Sequence, residues 1–401
     1  MLSIFIAKLT LFAMQLLLSH TFSKENYGFL VFYLSIFNFF SGLTGLGSYQ
    51  GLLRFGAILK NENEKNALSA YSYWNGFLYQ IVISILFFVV LLVFSVPNIH
   101  MNMVIVCLSI RLVGAFFLNL ILVNYRIQND NKSFALINIF TSVISLIFSA
   151  ILIHFYGING FLVSIALSSF FGLFFLKKKF IIHWKSSINI NKNQFWAFNI
   201  NAITALLVSE FLFVIDIYFA QYYLGFEEVS NYKNLILIPY NLWIFPQIFL
   251  QTDYTKITAN YLDEKFIFRY IKNYFSLFSV ISLLIIGFSF IVKDSIYKFI
   301  FGNEYRGGNL FLAIICFISV VGFTKTLFNY LLSAIGFVKR ISSINFLAIF
   351  IFIVLVIFLV PKYRLFGLIL STLSSILFST VCTVFSFFYI YKKIISNENS
   401  K

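Results

Sequence analysis

Charged side chains are scarce in this chain. They make up 11% of its 401 residues, where a soluble domain carries about 25%. With 60% of residues hydrophobic and a mean hydropathy of +0.91, a water-soluble globule is excluded. Proline and glycine are few, 4 and 19, which excludes a collagen-like or low-complexity chain. Cys107, Cys316 and Cys382 fall singly inside apolar runs, with no Cys-x-x-Cys and no histidine beside them. Neither a disulfide framework nor a zinc site is expected, and they read as small packing residues. His20, His100, His154 and His183 lie at run ends or in loops, as interfacial residues do. No segment between apolar runs exceeds about 20 residues, too short for an extramembrane domain. A Walker P-loop, a His-Glu-x-x-His and a Gly-x-Ser-x-Gly are all missing, so no catalytic residue, metal or cofactor is expected. Glu62/Glu64 and Asp263/Glu264 sit amid Lys and Asn and read as solvated loop faces.

What is present is a series of apolar runs of spanning length, about 17–25 residues. Twelve can be counted: 2–18, 27–53, 71–96, 101–123, 134–155, 158–176, 196–223, 232–251, 274–292, 310–332, 344–360 and 366–390. The first resembles a signal peptide in length but lacks a basic n-region and a small-x-small cleavage site, so it reads as an uncleaved transmembrane helix. The fifth and sixth are separated only by Tyr156-Gly157, a tight helical hairpin. The expected fold is an all-α integral membrane protein of about twelve transmembrane helices in two six-helix lobes. Residues 1–180 form the first lobe, 181–193 a basic cytoplasmic linker, 194–393 the second lobe and 394–401 a tail.

The net charge of +15 would suggest nucleic acid in a soluble protein. Here the basic residues sit in short loops, and nucleic-acid binding is set aside. Loops after even-numbered runs, with the tail, hold 19 Lys and Arg; loops after odd-numbered runs hold 6. Both termini are therefore expected in the cytoplasm.

The chain also repeats itself. Segment 153–164 (IHFYGINGFLVS) matches 360–371 (VPKYRLFGLILS), with Tyr156 on Tyr363, Gly160 on Gly367 and Ser164 on Ser371. Segment 23–29 (SKENYGF) matches 225–232 (GFEEVSNY) at a similar offset. Six helices per half is an even number, so the halves are expected as parallel repeats about an axis along the membrane normal.

The informative residues are charges inside the runs, since an ion at mid-bilayer costs about 2.5–3.5 kcal/mol on insertion scales. They are Lys8, Arg111, Glu210, Asp216 and Lys325. Stretch 199–232, near the chain's midpoint, carries both acids; its Asn199, Glu210 and Gln221 fall within roughly 40° on one helix face. Arg111 and Lys325 lie in the fourth run of each half, each with an amide nearby, Asn119 and Asn329. One reading is a cationic cavity for a phosphate-bearing lipid, lined by Lys8, Arg111, Lys325, Asn119 and Asn329, Arg gripping diphosphate bidentately and Lys acting as a point charge. The other is cross-helix pairing that pins the lobes together. The excess of cations over Glu210 and Asp216 favours the cavity. Those two acids are the candidates for binding a coupling proton or sodium ion, and Arg54 and Lys256 for a cytoplasmic gate that meets the headgroup.

Several motifs carry a resemblance. Ser23-Lys24-Glu25-Asn26-Tyr27-Gly28, then Gly45-Leu46-Gly47 and Leu53-Arg54, resemble the opening of O-antigen (Wzx-like) polysaccharide flippases of the multidrug/oligosaccharidyl-lipid/polysaccharide exporter superfamily. Gly225-Phe226-Glu227-Glu228-Val229, Phe301-Gly302-Asn303-Glu304-Tyr305, 332–339 (LSAIGFVK) and Pro361-Lys362-Tyr363 with Gly367 resemble later family signatures. Ser230, Phe337 and Arg364 stand where the family usually has Gly, Arg and Gly. The resemblance implies a MATE-like pair of six-helix bundles around a V-shaped cleft in the bacterial inner membrane. It implies translocation of undecaprenyl-diphosphate-linked oligosaccharide for lipopolysaccharide O-antigen or capsule. Membrane lipid, a polysaccharide polymerase and a chain-length regulator are the implied partners. Two other classes stay open: a small-molecule exporter of the same superfamily, and a membrane polysaccharide polymerase or ligase.

Overall fold

The computed structural model describes residues 2–182, 191–301 and 308–399. Every regular element among them is helical: α1 (Leu2–Thr21), α2 (Lys24–Gly42), α3 (Ser48–Ile58), α4 (Glu62–Val93), α5 (Met101–Ile127), α6 (Asn131–Ser168), α7 (Lys179–Ile182), α8 (Lys192–Leu224), α9 (Phe226–Asn241), α10 (Ile244–Ala259), α11 (Glu264–Phe301), α12 (Gly308–Phe317), α13 (Phe323–Ala334) and α14 (Val338–Asn399). Large apolar side chains lie on the outside, among them Leu86, Leu283, Leu284 and Phe346. In water such a surface would associate; against acyl chains it is the stable arrangement.

Eight stretches of the described residues are long and apolar enough to cross a membrane: Lys24–Ile58, Glu62–Val93, Met101–Ile127, Asn131–Phe175, Phe226–Tyr254, Glu264–Ile291, Gly308–Ala334 and Val338–Ser396. The twelve runs expected from sequence do not map onto them one to one. Runs 134–155 and 158–176 fall in one stretch, as do 344–360 and 366–390, while run 2–18 is the shorter apolar helix Phe5–Thr21. In the first of these stretches the chain folds back on itself. Ser145 and Ser168 are hydrogen-bonded at 3.0 Å and Ser149 and Ser164 at 2.6 Å. Two pairs with one common midpoint make an antiparallel hairpin whose turn is at residues 156–157.

That turn is made by Gly157 at φ 57°, ψ −133°, a conformation that side chains bearing a Cβ rarely adopt. Arg364, 207 residues on, has φ 50°, ψ −130°. The correspondence extends to Gly160 and Gly367, where a Cβ would collide with the carbonyl oxygens of Leu152 and Leu359, themselves 207 apart. The sequence repeat is thus a repeat of backbone shape.

Two runs expected to be continuous are broken. Run 27–53 is interrupted between α2 and α3, where Gly45, Leu46 and Gly47 are all left-handed. A break inside a membrane exposes backbone groups that lipid cannot satisfy. Fully buried Gln80 meets that demand: its Oε1 accepts from Gly45 N–H at 2.9 Å, and its Nε2 donates to Ser84 Oγ at 3.0 Å. Run 310–332 contains a π turn at Ile318–Gly322 between α12 and α13. Its neighbouring carbonyls take hydroxyl donors from α11, Ser282 to Ser319 O at 2.8 Å and Tyr274 to Phe323 O at 2.9 Å. Gly322 is required there, since a Cβ would collide with the indole of Trp243.

The chain divides into two units by internal contacts. One is Met1–Phe22 with Tyr33–Val214, the other Ser23–Phe32 with Ile215–Lys401; the division falls inside α8. Residues 183–190 of the expected linker lie outside the described residues. The first unit packs around Phe116, Tyr125, Phe180 and Phe195, the second around Tyr274, Phe278, Phe328 and Phe387. In the second unit the two copies of the shorter repeat meet. The ring of Phe226 is edge-on to Phe29 at 5.6 Å and to Phe32 at 5.9 Å, and Gly28 lies so close that a Cβ would strike the Phe226 carbonyl. Outside the spans, Asp130 caps α6. The Ser133 N–H donates to its carboxylate at 3.0 Å, and this bond, with the nearby Ser133 hydroxyl, Lys177 and Lys132, holds the carboxyl below the usual range.

Candidate functional site

In the first unit the intramembrane cation is Arg111, half-buried on α5. Its guanidinium lies 4.2 Å from the centre of the Phe37 ring, and among the described residues no acid is paired with it. It borders a cavity of about 140 Å³ that also presents the hydroxyls of Thr10, Thr141, Ser142, Ser145, Ser168 and Ser169. α1, α5 and both limbs of α6 supply these groups. These hydroxyls already donate to helix carbonyls or pair with each other, so the guanidinium is the donor the cavity offers to an oxyanion.

The other candidates in this unit lie elsewhere. Asn119 donates to Thr44 Oγ1 at 3.3 Å, about 12 Å along the helix axis from Arg111, so it props the break beside Gly45. Lys8 is exposed, and its direction on α1 is roughly 115° round from Thr10, Leu11 and Met14, which face the cavity. Glu210 is half-buried, forms no ion pair with Lys8 and has Tyr49 within electrostatic reach. Arg54 is exposed, with its guanidinium 4.6 Å over the ring of Phe198. Asn199, expected on a wet face with Glu210, is fully buried. It occupies the space left by the missing side chain of Gly51, where a Cβ would collide with its Oδ1.

The second unit holds the best-organised polar cluster. Asp216, on α8, is 1% exposed. Tyr232 of α9 donates its hydroxyl to Asp216 Oδ2 at 2.7 Å, and the Ile217 N–H donates to Oδ1 at 2.7 Å. The Tyr232 hydroxyl also lies 3.1 Å from Thr372 Oγ1 of α14. Lys233 is within electrostatic reach of the carboxylate. Residues of α8, α9 and α14 therefore form one connected chain of hydrogen bonds that ends on Asp216. Lys233 was missed in the sequence because it sits one residue inside run 232–251, next to a loop; its place within an apolar run was the available signal.

Lys325 is half-buried on α13, three residues past the π turn. Neither a hydrogen bond nor an ion pair is found for it among the described residues. Asn329, one turn further on, has a buried Oδ1 without a partner. Lys256 is 72% exposed and paired at 3.3 Å with Asp253 on its own helix. Motif 301–305 lies, beyond Phe301, outside the described residues.

No family model matches the chain, and no curated protein does. Solved structures do. A transporter of the MOP superfamily from Pyrococcus furiosus Vc1, described as having a binding pocket of reverse polarity, is similar over 98% of this chain and 93% of its own, with 15% identity and a TM-score of 0.65. A multidrug resistance MATE family transporter of that superfamily is similar in its inward-facing conformation, over 98% and 96% of the two chains, with 15% identity and a TM-score of 0.68. An outward-facing conformation matches over 98% and 93%, with 16% identity and a TM-score of 0.63. At these identities the likeness is one of fold, and the fold of this chain is that of the MATE transporters of the MOP superfamily.

Proposed function

We propose that this chain is a flippase that carries a polyprenyl-diphosphate-linked oligosaccharide across the bacterial cytoplasmic membrane by alternating access. The observation that carries the reading is the state of Arg111, a guanidinium at a hydroxyl-lined cavity with no acid paired to it among the described residues. Lys325, also without an acid, supports it. A cation inside a membrane span is costly unless something answers it, and the diphosphate of a lipid carrier does so while the glycan crosses in water and the polyprenyl tail stays in lipid. The proposed topology is twelve spans in two six-helix lobes with both termini cytoplasmic. Two of the eight long stretches count twice as hairpins, and α1 and α8 supply the remaining two. Asp216 is proposed as the coupling acid, since the Tyr232 hydroxyl donates to it and Lys233 lies within electrostatic reach; Glu210 is the second candidate. Arg54 and Lys256 are proposed to meet the headgroup at a cytoplasmic gate.

A multidrug exporter is the second reading, favoured by the fold likeness to multidrug MATE transporters. A cavity for cationic drugs would place acids where Arg111 and Lys325 stand. The experiment is the double variant Arg111→Ala/Lys325→Ala in a strain that depends on this chain for surface polysaccharide. At equal protein level the polysaccharide is expected to be lost, with lipid-linked repeats accumulating inside. Unchanged polysaccharide contradicts the reading, and drug sensitivity on deletion favours the exporter.

A further inference from the structure

The second unit contains a cavity of about 400 Å³ between α10 and α13, bordered by Gln251, Tyr254, Asn329, Tyr330 and Ser333. Among the described residues no charged side chain lines it. Two amides, a serine hydroxyl and two phenols do, so each polar group is neutral and most both donate and accept. Such a lining suits neither a phosphate, which calls for a cation, nor a cationic drug, which calls for an acid. Acyl chains would leave the amides unsatisfied. A pyranose fits on both counts: its hydroxyls pair with amides and phenols, and its C–H face rests on an aromatic ring.

Three details sharpen this. Asn329 Oδ1 is buried with no partner, an acceptor that a ligand hydroxyl would satisfy. The rings of Tyr254 and Tyr330 are 6.1 Å apart at 77°, so they are not stacked face to face on each other. Tyr254 is held in place by a 3.2 Å hydrogen bond between its hydroxyl and Ser333 Oγ. Asn329 also lies one turn, about 6 Å along the axis, from the unpaired Lys325.

We infer that this cavity is a subsite for a neutral sugar, and that it holds the residue joined to the diphosphate while Lys325 meets the diphosphate itself. The second half of this inference rests on the flippase reading. The subsite is the place where the second unit reads the cargo's glycan, since a site built to hydrogen-bond hydroxyls rejects ligands that lack them.

The test uses the purified full chain in nanodiscs and a panel of methyl glycosides of glucose, galactose and N-acetylglucosamine. Binding is read by saturation-transfer NMR. At least one glycoside is expected to bind, with saturation of its ring protons, and Asn329→Leu or Tyr330→Leu is expected to weaken it about tenfold. Gln251→Leu, at an exposed position, gives the same direction if a buried variant fails to fold. Lys325→Ala should leave glycoside binding intact while weakening binding of polyprenyl diphosphate. Glycoside binding that survives every lining substitution, or no binding across the panel, overturns the subsite. So does binding of ethidium that Asn329→Leu and Tyr330→Leu weaken instead. If the glycoside binds as expected while Arg111→Ala/Lys325→Ala leaves surface polysaccharide unchanged, the sugar subsite stands and the flippase reading fails.

Discussion

The guanidinium of Arg111 lies 4.2 Å from the ring of Phe37, and no carboxylate among the described residues is paired with it. The aromatic face partly offsets the cost of an intramembrane cation, by about 0.5–2 kcal/mol, without an ion pair that would neutralise it. The Arg111 side chain is therefore held without being consumed. Arg111→Ala is expected to abolish transport with little change in protein level. Arg111→Lys should restore it only in part, because an ammonium cannot form the two parallel bonds a guanidinium makes with a phosphate. Quantifying lipid-linked repeats in each leaflet checks this; full activity in Arg111→Ala would refute it.

Asp216 depends on Tyr232. Tyr232→Phe removes the 2.7 Å donor to a carboxylate that is almost fully buried, and hydrogen bonds to charged groups contribute about 1.5–3 kcal/mol. Thermal unfolding in detergent should fall accordingly. Asp216→Asn is expected to lose less stability and more transport if that acid couples an ion, a split that a purely structural role would not produce.

At Arg364 a side chain occupies a backbone conformation that suits glycine, the conformation Gly157 adopts in the matching hairpin. Strain of this kind costs about 1–3 kcal/mol, and glycine loses about 0.5–1 kcal/mol in extra unfolded-state entropy. Arg364→Gly should therefore raise stability by roughly 1 kcal/mol on those figures. Gly157→Ala should lower it, although a Cβ there meets nothing within 4 Å, so the loss would report the backbone alone. Unfolding midpoints of the two variants should move in opposite directions.

The π turn before Lys325 relies on α11. Tyr274→Phe and Ser282→Ala each strip a hydroxyl from a buried carbonyl near the turn. Each should destabilise by about 1–3 kcal/mol, the penalty for an unsatisfied buried group. Because the turn sets the register of α13, transport should fall with stability in both variants, as thermal unfolding and polysaccharide assays on the same preparations would show.

Much of this was legible in local sequence. Tyr156-Gly157 announced a hairpin because helix pairs joined by two residues must reverse at once, and the match of 153–164 with 360–371 announced its copy. Charge among apolar residues was enough to single out Arg111, Lys325 and Asp216. The breaks were not legible. Gly45 and Gly47 permit the left-handed turn, but what stabilises it there is Gln80, 35 positions on from Gly45, and nothing in the composition of run 27–53 signals that partner. Asn119 and Asn329 read alike as amides near cations. Only packing separates them, since Asn119 is bound to Thr44 while the Asn329 carbonyl has no partner. Lys233 escaped because it lies at the boundary between a loop and a run, where a charge looks ordinary.

The central claim is that intramembrane cations exist to meet an anionic lipid headgroup, and affinity tests it directly. The measurement is binding of polyprenyl diphosphate to the purified chain in nanodiscs, wild type against Arg111→Ala/Lys325→Ala, with the uncharged polyprenol as reference. Charge-assisted contacts of about 1.5–3 kcal/mol each predict that the wild type prefers the diphosphate and that the variant loses roughly a hundredfold or more, down to the polyprenol's affinity. Equal diphosphate affinity in the two proteins would contradict the account.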